Sequence, residues 1–369
     1  MTHTQETARR NPGPWVEIDL DALCANYALL RKTAPKAETA AVVKCDAYGL
    51  GAETVARTLA KREGCNVFFV AYPQEGAALR AALKSVEPAP TIYVFNGPLP
   101  GTLPLFETAG LTPILNSLDQ AQAWAERRPD APAALHADTG MNRLGVAPED
   151  LETVSLLNGL NITLIMSHLA CASEPLHPKN ERQRAMFETI AAAFPNARRS
   201  LAASGGALMG EAYHYELIRP GIALYGASPF EEDEPRLKPV AALKAPIIQV
   251  RRAAAGESVG YGATQALAKP SLLATAALGY GDGFPRSGSG GENEGALAFV
   301  NGGRAPVVGR VSMDLIVLDV TNLPQKTGPG DVAEFFGPNL SIHETAAACK
   351  TISYELLTGL GGRVDRRYL

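Results

Sequence analysis

Between residues 39 and 219 the chain repeats one device eight times: a short, nearly all-apolar run followed by a helix-compatible stretch. The runs are TAAVVK ending at Lys44, NVFFVA at Ala71, TIYVFN at Asn96, LTPILN at Asn116, APAALHAD at Asp138, NITLIMSH at His168, SLAAS at Ser204 and YELIR at Arg219. Between them lie alanine-rich segments such as AETVARTLAKRE, PQEGAALRAALKS, SLDQAQAWAERR and ERQRAMFETIAAAF. Apolar strands with no polar alternation belong to a parallel sheet covered on both faces, and the helices supply the cover. Eight such units are the number that closes a (β/α)8 barrel; an open doubly wound sheet is the competing arrangement.

The rhythm stops near residue 230. FEEDEPRLKP is charged and proline-bearing, as a linker would be. Beyond it come strand-like segments, APIIQVRRA, LLATAALGY, ALAFVNG, APVVGRVSM, LIVLDVT and DVAEFFG, separated by glycine- and proline-rich turns. One helical segment follows, SIHETAAACKTISYELLTGL, and SGSGGENEG (287–295) reads as a flexible surface loop. A length of 369 residues accommodates two domains. The expected division is a tail over 1–13, a barrel over 14–235 and a C-terminal all-β domain over 236–369. Ahead of the barrel lies a strand-like WVEIDL (15–20), then a helical face of Leu20, Leu23, Tyr27 and Leu30.

Charge narrows the partners. Lys and Arg total 34 against 38 Asp and Glu, a net −4, which speaks against nucleic acid or an acidic membrane surface. No apolar run approaches the 18 or so residues of a membrane span, and MTHTQETARRNPGP has no apolar stretch behind its two arginines, unlike a signal peptide. The five cysteines (24, 45, 65, 171, 349) are scattered without a C-x-x-C, as expected of reduced thiols in a cytoplasm. His168 and Cys171 are three apart, but His136, His177 and the other cysteines complete no zinc spacing.

A barrel places its reactive groups where strands end. Here those positions hold Lys44, Asp138, His168, Ser204 and Arg219. A lysine closing an apolar run has its amine in a dry region, where its pKa falls and it can attack a carbonyl as a Schiff-base nucleophile; an exposed loop-edge lysine is the alternative. Ser204-Gly205-Gly206 and Arg219-Pro220-Gly221-Ile222 follow runs seven and eight, the loops with which barrels bind phosphate; an ordinary helix cap and a plain turn are the alternatives. A Schiff-base lysine beside a phosphate site implies pyridoxal 5′-phosphate. The glycine cluster at 279–283 lies in the β region, not on a strand-to-helix turn, so it does not read as a dinucleotide site.

At these positions the chain resembles the alanine racemase family. AVVKCDAYGLG (41–51) is similar to that family's cofactor-attachment motif, HADTGMNRLG (136–145) to its substrate-binding segment and IRPGIALYG (218–226) to its phosphate-binding segment. VGYGAT (259–264) resembles its second catalytic segment, and GYGDGFPR (279–286) and GRVSMDL (309–315) continue the match. The resemblance implies that L- and D-alanine are interconverted by two-base proton transfer on a pyridoxal-phosphate external aldimine, supplying D-alanine for cell-wall peptidoglycan. It implies Lys44 as the cofactor-bearing base on the D-side, and Tyr261, from the partner subunit of a homodimer, as the base on the L-side. Tyr48, Ser204, Gly221 and Ile222 would hold the cofactor phosphate. Arg219 would face the pyridine nitrogen and His168 the ring, while Arg143 and the partner's Met313 backbone would bind the substrate carboxylate. The strand over 15–20 would join the β domain.

Four positions depart from the common pattern. His136 stands where many members have a lysine that becomes carbamylated and orients Arg143. Ala203 replaces a frequent Asn, Leu50 a usual His, and Gly362 a phosphate-binding Tyr, with Tyr368 nearby in sequence. A broader-specificity or serine-preferring racemase, a non-catalytic pyridoxal-phosphate-binding protein and a decarboxylase of similar layout are the competing readings. The non-catalytic proteins lack the β domain that carries Tyr261, and segments characteristic of the decarboxylases are not evident.

Overall fold

The computed structural model describes residues 13–230, 232–291 and 295–369. The expected tail, bar Gly13, lies outside the described residues. The chain divides into two compact units: one spans Asp21–Lys238, and the other combines the segment up to Leu20 with Pro239–Leu369. Strand β1 (Trp15–Ile18) belongs to the second unit and is followed by helix α1 (Leu20–Thr33), whose inner face buries Leu23, Tyr27 and Leu30.

The Asp21–Lys238 unit alternates strand and helix. Its elements are β2 (Glu38–Thr39), β3 (Ala41–Val42), α2 (Ala52–Glu63), β4 (Val67–Val70), α3 (Pro73–Ala82), β5 (Thr91–Val94), α4 (Leu103–Ala109), β6 (Thr112–Leu115) and α5 (Leu118–Arg127). There follow β7 (Pro132–His136), α6 (Leu151–Ser155), β8 (Asn161–Met166), α7 (Pro178–Ala191), β9 (Arg198–Ser200), α8 (Ser204–Met209) and β10 (Leu217–Ile218). Strands β3 to β9 form a seven-stranded sheet whose pairs are all parallel, in sequence order. Strand β10 closes the ring: it pairs in parallel with β2, Ala40 N–H donates to Ile218 O at 3.0 Å, and on its other side Arg219 N–H donates to Ala202 O at 2.8 Å. With β2 and β3 as one strand interrupted at Ala40, the barrel has eight.

Every residue of β4, VFFV, is buried, as sheet covered on both faces requires. Helix α5 shows why a stretch of mixed polarity is a helix here: Ser117 accepts the Gln120 N–H as its cap, and Trp124 buries against Phe106 of α4. The seventh strand differs from expectation. It is Arg198–Ser200, not SLAAS, because Leu201–Ala203 leave the ladder as the chain turns into α8, with only an Ala203–Arg219 bridge remaining.

In the other unit β11 (Ala241–Ala253) is the spine. It runs antiparallel to β1, with Trp15 opposite Lys244, and β1 runs parallel to the last strand. The intervening elements are the hairpin β12 (Ser258–Val259) and β13 (Gln265–Ala266), then β14 (Ser271–Ala276), β15 (Leu297–Val300), β16 (Gly303–Pro306), β17 (Ile316–Asp319) and β18 (Val332–Phe336). Helices α9 (Ile342–Ala348) and α10 (Ser353–Thr358) precede β19 (Asp365–Tyr368). The C-terminal helical segment is therefore two helices, broken where Lys350 adopts φ 54°. The segment read as a flexible loop is tied down over 287–291: Gly290 N–H donates to Gly309 O at 2.9 Å, and Ser289 Oγ accepts the Val311 N–H at 3.0 Å. Residues 292–294 lie outside the described residues.

Candidate active site

The barrel's strand ends converge on Lys44. Its backbone follows β3 and Val43, whose N–H donates to Phe69 O at 2.9 Å, and its Nζ lies 5.5 Å from the centre of the Phe95 ring. Burial, and next the Arg143 charge, hold the amine below the ordinary lysine range, with Glu75 and Cys45 partly opposing. A deprotonated fraction at neutral pH is what a carbonyl-attacking amine needs.

The chain after Lys44 does something unusual. Cys45, Asp46, Ala47 and Tyr48 all have left-handed helical angles, with φ between 53° and 58°. None is glycine, so each costs about 1–2 kcal/mol. The turn is held by Ala47 N–H to Val43 O at 2.9 Å, Gly51 N–H to Asp46 O at 2.9 Å and Ala52 N–H to Asp46 Oδ1 at 2.7 Å. Its product is the placement of Tyr48, which is buried and packs on Tyr225 with ring centres 4.8 Å apart. Tyr225 is pinned in turn by its hydroxyl, which donates to Val42 O at 2.9 Å.

The loops after β9 and β10 meet at a second place in the mouth. Ser204 is not a helix cap; the capping position is Ala203, and Ser204 begins α8. Its Oγ accepts the N–H groups of Gly221 at 3.0 Å and Ala223 at 3.2 Å. Both acceptor sites are thereby used, and the Ser204 hydroxyl hydrogen is left to donate. Gly221 is required by proximity, since a Cβ there would collide with the Tyr48 hydroxyl. Among the described residues the Ile222 N–H has no hydrogen-bond partner. The Ser204 hydroxyl and the Tyr48 hydroxyl both stand against Gly221, next to the Ile222 N–H, and groups of these kinds are suited to a phosphate. The depressed amine and this cradle fit pyridoxal phosphate.

Arg219, directly after β10, is fully buried. Its guanidinium donates to Ser200 Oγ and, at 2.6 Å, to Ser167 O, and burial lowers its pKa to about 9. Burial and then the Arg219 charge push the His168 imidazole down to about 3, and the same two causes push His136 to about 4. Both are neutral at pH 7. The His136 tautomer follows from its partner: the Asn116 amide nitrogen donates to Phe95 O and Ile114 O, both at 2.9 Å, so Asn116 Oδ1 faces His136 Nδ1, 2.9 Å away. Nδ1 therefore carries the proton and Nε2 is an acceptor.

Arg143 is exposed on a loop tied at its base by Asp138. The two carboxylate oxygens accept the N–H groups of Gly140 and Met141 at 2.8 Å and Asn142 at 3.0 Å. The remaining two expected residues belong to the β unit. Tyr261 stands at the tip of the β12–β13 hairpin, 72% exposed, and Met313 is 54% exposed. The Met313 carbonyl accepts the Gly281 N–H at 2.8 Å, while its own N–H has no partner among the described residues. Gly362, where a side chain would meet open space, and Tyr368, in β19, lie in the same unit. Sequence reasoning missed Tyr225, Asn116, Gln183 and Glu75, which hold the site. Gln183 of α7 donates to His168 O at 3.0 Å and accepts the Ala170 N–H at 2.8 Å, fixing the loop that bears His168.

A barrel ending in a partly buried lysine and a donor cradle suited to phosphate, with a separate β unit, defines the class of two-domain pyridoxal-phosphate enzymes. The comparisons with known proteins narrow it. The sequence family "Alanine racemase, N-terminal domain" matches residues 18–229, and "Alanine racemase, C-terminal domain" matches 240–368. The catabolic alanine racemase of Agrobacterium fabrum is 46% identical over 378 residues, covering 100% of this chain and 95% of that one. The biosynthetic alanine racemase of the same organism is 43% identical, covering 95% and 93%. Among solved structures, alanine racemase from Bartonella henselae with covalently bound pyridoxal phosphate superimposes with a TM-score of 0.89 at 36% identity, covering 97% and 99%. The chain belongs to the alanine racemase family, and is thereby an isomerase of a pyridoxal-phosphate-dependent kind.

Proposed function

We propose that this protein interconverts L- and D-alanine with pyridoxal phosphate bound covalently to Lys44. The observation that carries this reading is the Lys44 amine, held below the ordinary lysine range chiefly by burial, sharing one barrel mouth with the Ser204–Gly221–Tyr48 cradle. When bound, the cofactor supplies electron withdrawal that makes the substrate α-proton acidic. The chain's own residues do the rest. Tyr48, Ser204, Gly221 and Ile222 bind the phosphate, and Arg143 with the Met313 N–H receives the substrate carboxylate. Lys44 Nζ moves the proton on the D-side and Tyr261 Oη on the L-side. Arg219, a charged donor that stays protonated, would face the pyridine nitrogen, and neutral His168 would pack on the ring. An arginine there keeps that nitrogen unprotonated, which weakens electron withdrawal and favours return of the proton to the same carbon.

Tyr261 and Met313 are assigned to the partner subunit's site in a homodimer. Their exposure supports this, together with that of Tyr280 and Leu315 in the same unit, because exposed large apolar groups mark surfaces meant to be covered. The proposed location is the cytoplasm, supported by five free cysteines. Among the described residues no helix is long and apolar enough to cross a membrane. The proposed use of the product is D-alanine for cell-wall peptidoglycan, which a D-alanine requirement in a strain lacking this protein would test. The activity is tested by incubating L-alanine with the protein and following ellipticity. Decay to zero without release of CO2 supports racemisation; unchanged ellipticity overturns it.

A further inference from the structure

We propose that Glu75 is a positioning residue for Lys44: its carboxylate takes the Cys45 N–H and thereby holds the left-handed turn that fixes the amine beside it. Glu75 lies in the first turn of α3, and its Oε2 accepts the N–H groups of Ala71 at 2.7 Å and Tyr72 at 3.1 Å. Those bonds are ordinary helix capping and occupy one oxygen. The other oxygen, Oε1, accepts the Cys45 N–H at 2.7 Å, thirty residues away in sequence. The juxtaposition follows from register: β3 and β4 are parallel neighbours, with Val42 beside Phe69, so the chain after β4 turns into α3 next to the chain after β3.

Cys45 is the first of four non-glycine residues in the left-handed region, and its N–H has no acceptor within the turn. The remaining turn bonds start at Ala47 and beyond. Glu75 therefore anchors the end of the turn that touches Lys44. The same carboxylate acts on the amine through space. The ionisable groups around Lys44 are Arg143 from the loop after β7, Glu75 from α3, Cys45 from the turn itself and neutral His168 after β8. Of these, Glu75 is the foremost that favours the ammonium.

The geometry of Lys44 and Glu75 stands apart from the functional reading; the consequence for cofactor attachment rests on it. Glu75→Gln separates the roles. A glutamine oxygen still caps α3, but its NH2 group now meets the Cys45 N–H, donor against donor. In the full-length protein, Cys45 amide exchange should accelerate about tenfold or more while the amides of α3 keep their protection. Covalent attachment of added pyridoxal phosphate to the cofactor-stripped full chain, followed by absorbance against pH, should show its midpoint moved down by about half a unit, because a negative charge beside the amine is gone. Glu75→Asp, should the glutamine variant fail to fold, keeps the charge but falls a methylene short. It should free the Cys45 amide with the midpoint unmoved. If Cys45 stays protected in these variants, or if it loosens only together with α3, Glu75 is a helix cap and the proposal is overturned. An unmoved midpoint in Glu75→Gln overturns the electrostatic half. Borohydride label appearing on a lysine other than Lys44 would instead sink the functional reading and leave the exchange result intact.

Discussion

Three groups in the barrel mouth are held below their ordinary pKa range, first by burial, and each has a measurable consequence. Lys44 is the simplest. If it carries the cofactor, the purified protein is yellow, and borohydride fixes the label in the peptide around Lys44. Lys44→Ala should lose the absorption band and essentially all turnover. The two histidines are buried neutral, His136 at about 4 and His168 at about 3. In the unfolded chain both titrate near ~6.5. Their folded pKa values lie below that, so the unfolded state binds more protons once pH drops under ~6.5. Stability should therefore fall as pH goes from ~6.5 toward 4, by up to about 1.4 kcal/mol per unit per histidine. Chemical denaturation at pH 7 and pH 5 checks this, and replacing His136 with Gln should flatten the slope.

At the level of elements, the left-handed turn and the Gly221 loop depend on each other through Tyr48. Gly221→Ala should displace the Tyr48 hydroxyl, weakening pyridoxal-phosphate binding about tenfold or more with a loss of stability of about 1–3 kcal/mol. Titration with the cofactor and a melting curve measure the two separately. Asp46→Ala removes the acceptor of Ala52 N–H and should destabilise by about 1–2 kcal/mol, the usual cost of a lost charged cap.

The same two features mark the limit of what the amino-acid order discloses. Eight apolar runs announced the barrel, because covered parallel strands must be apolar throughout. Lys44, Ser204 and Arg219 pointed to the candidate site, because polar residues closing such runs fall at the barrel mouth. The left-handed turn was not visible: CDAY contains no glycine, and its angles are held by a distant carboxylate, the Asp46 side chain and backbone bonds within the turn. Strand β19 was equally silent. DRRY has no apolar alternation and is a strand only because β1 supplies a ladder to join. The break between α9 and α10 was hidden because the helical periodicity continues across Lys350.

For the whole molecule the test is assembly. If each site combines Lys44 of one subunit with Tyr261 of the other, two inactive variants can repair each other. Lys44→Ala and Tyr261→Phe, mixed under conditions that exchange subunits, give mixed dimers with one intact and one doubly broken site. Random reassortment makes half the dimers mixed, so about a quarter of all sites regain activity. Background activity despite proven exchange would refute the shared site, and with it the role assigned to Tyr261.

Strand β1 lies between β11 and β19, and Asp365 N–H donates to Pro14 O at 3.1 Å while Leu369 N–H donates to Ile18 O at 2.9 Å. The barrel is thus an insertion within a β domain whose first and last strands are partners. On a ribosome, β1 emerges ahead of the barrel and waits for β11 on one side and β19 on the other. Some 350 residues separate β1 from β19, roughly 20 to 70 s of synthesis. During that interval the barrel, whose strands and helices are already out, is free to fold, while the host domain cannot complete its sheet. A nascent chain of this protein therefore carries β1 with neither neighbour until β11 follows the barrel out, and with one side still unpaired until β19 is made.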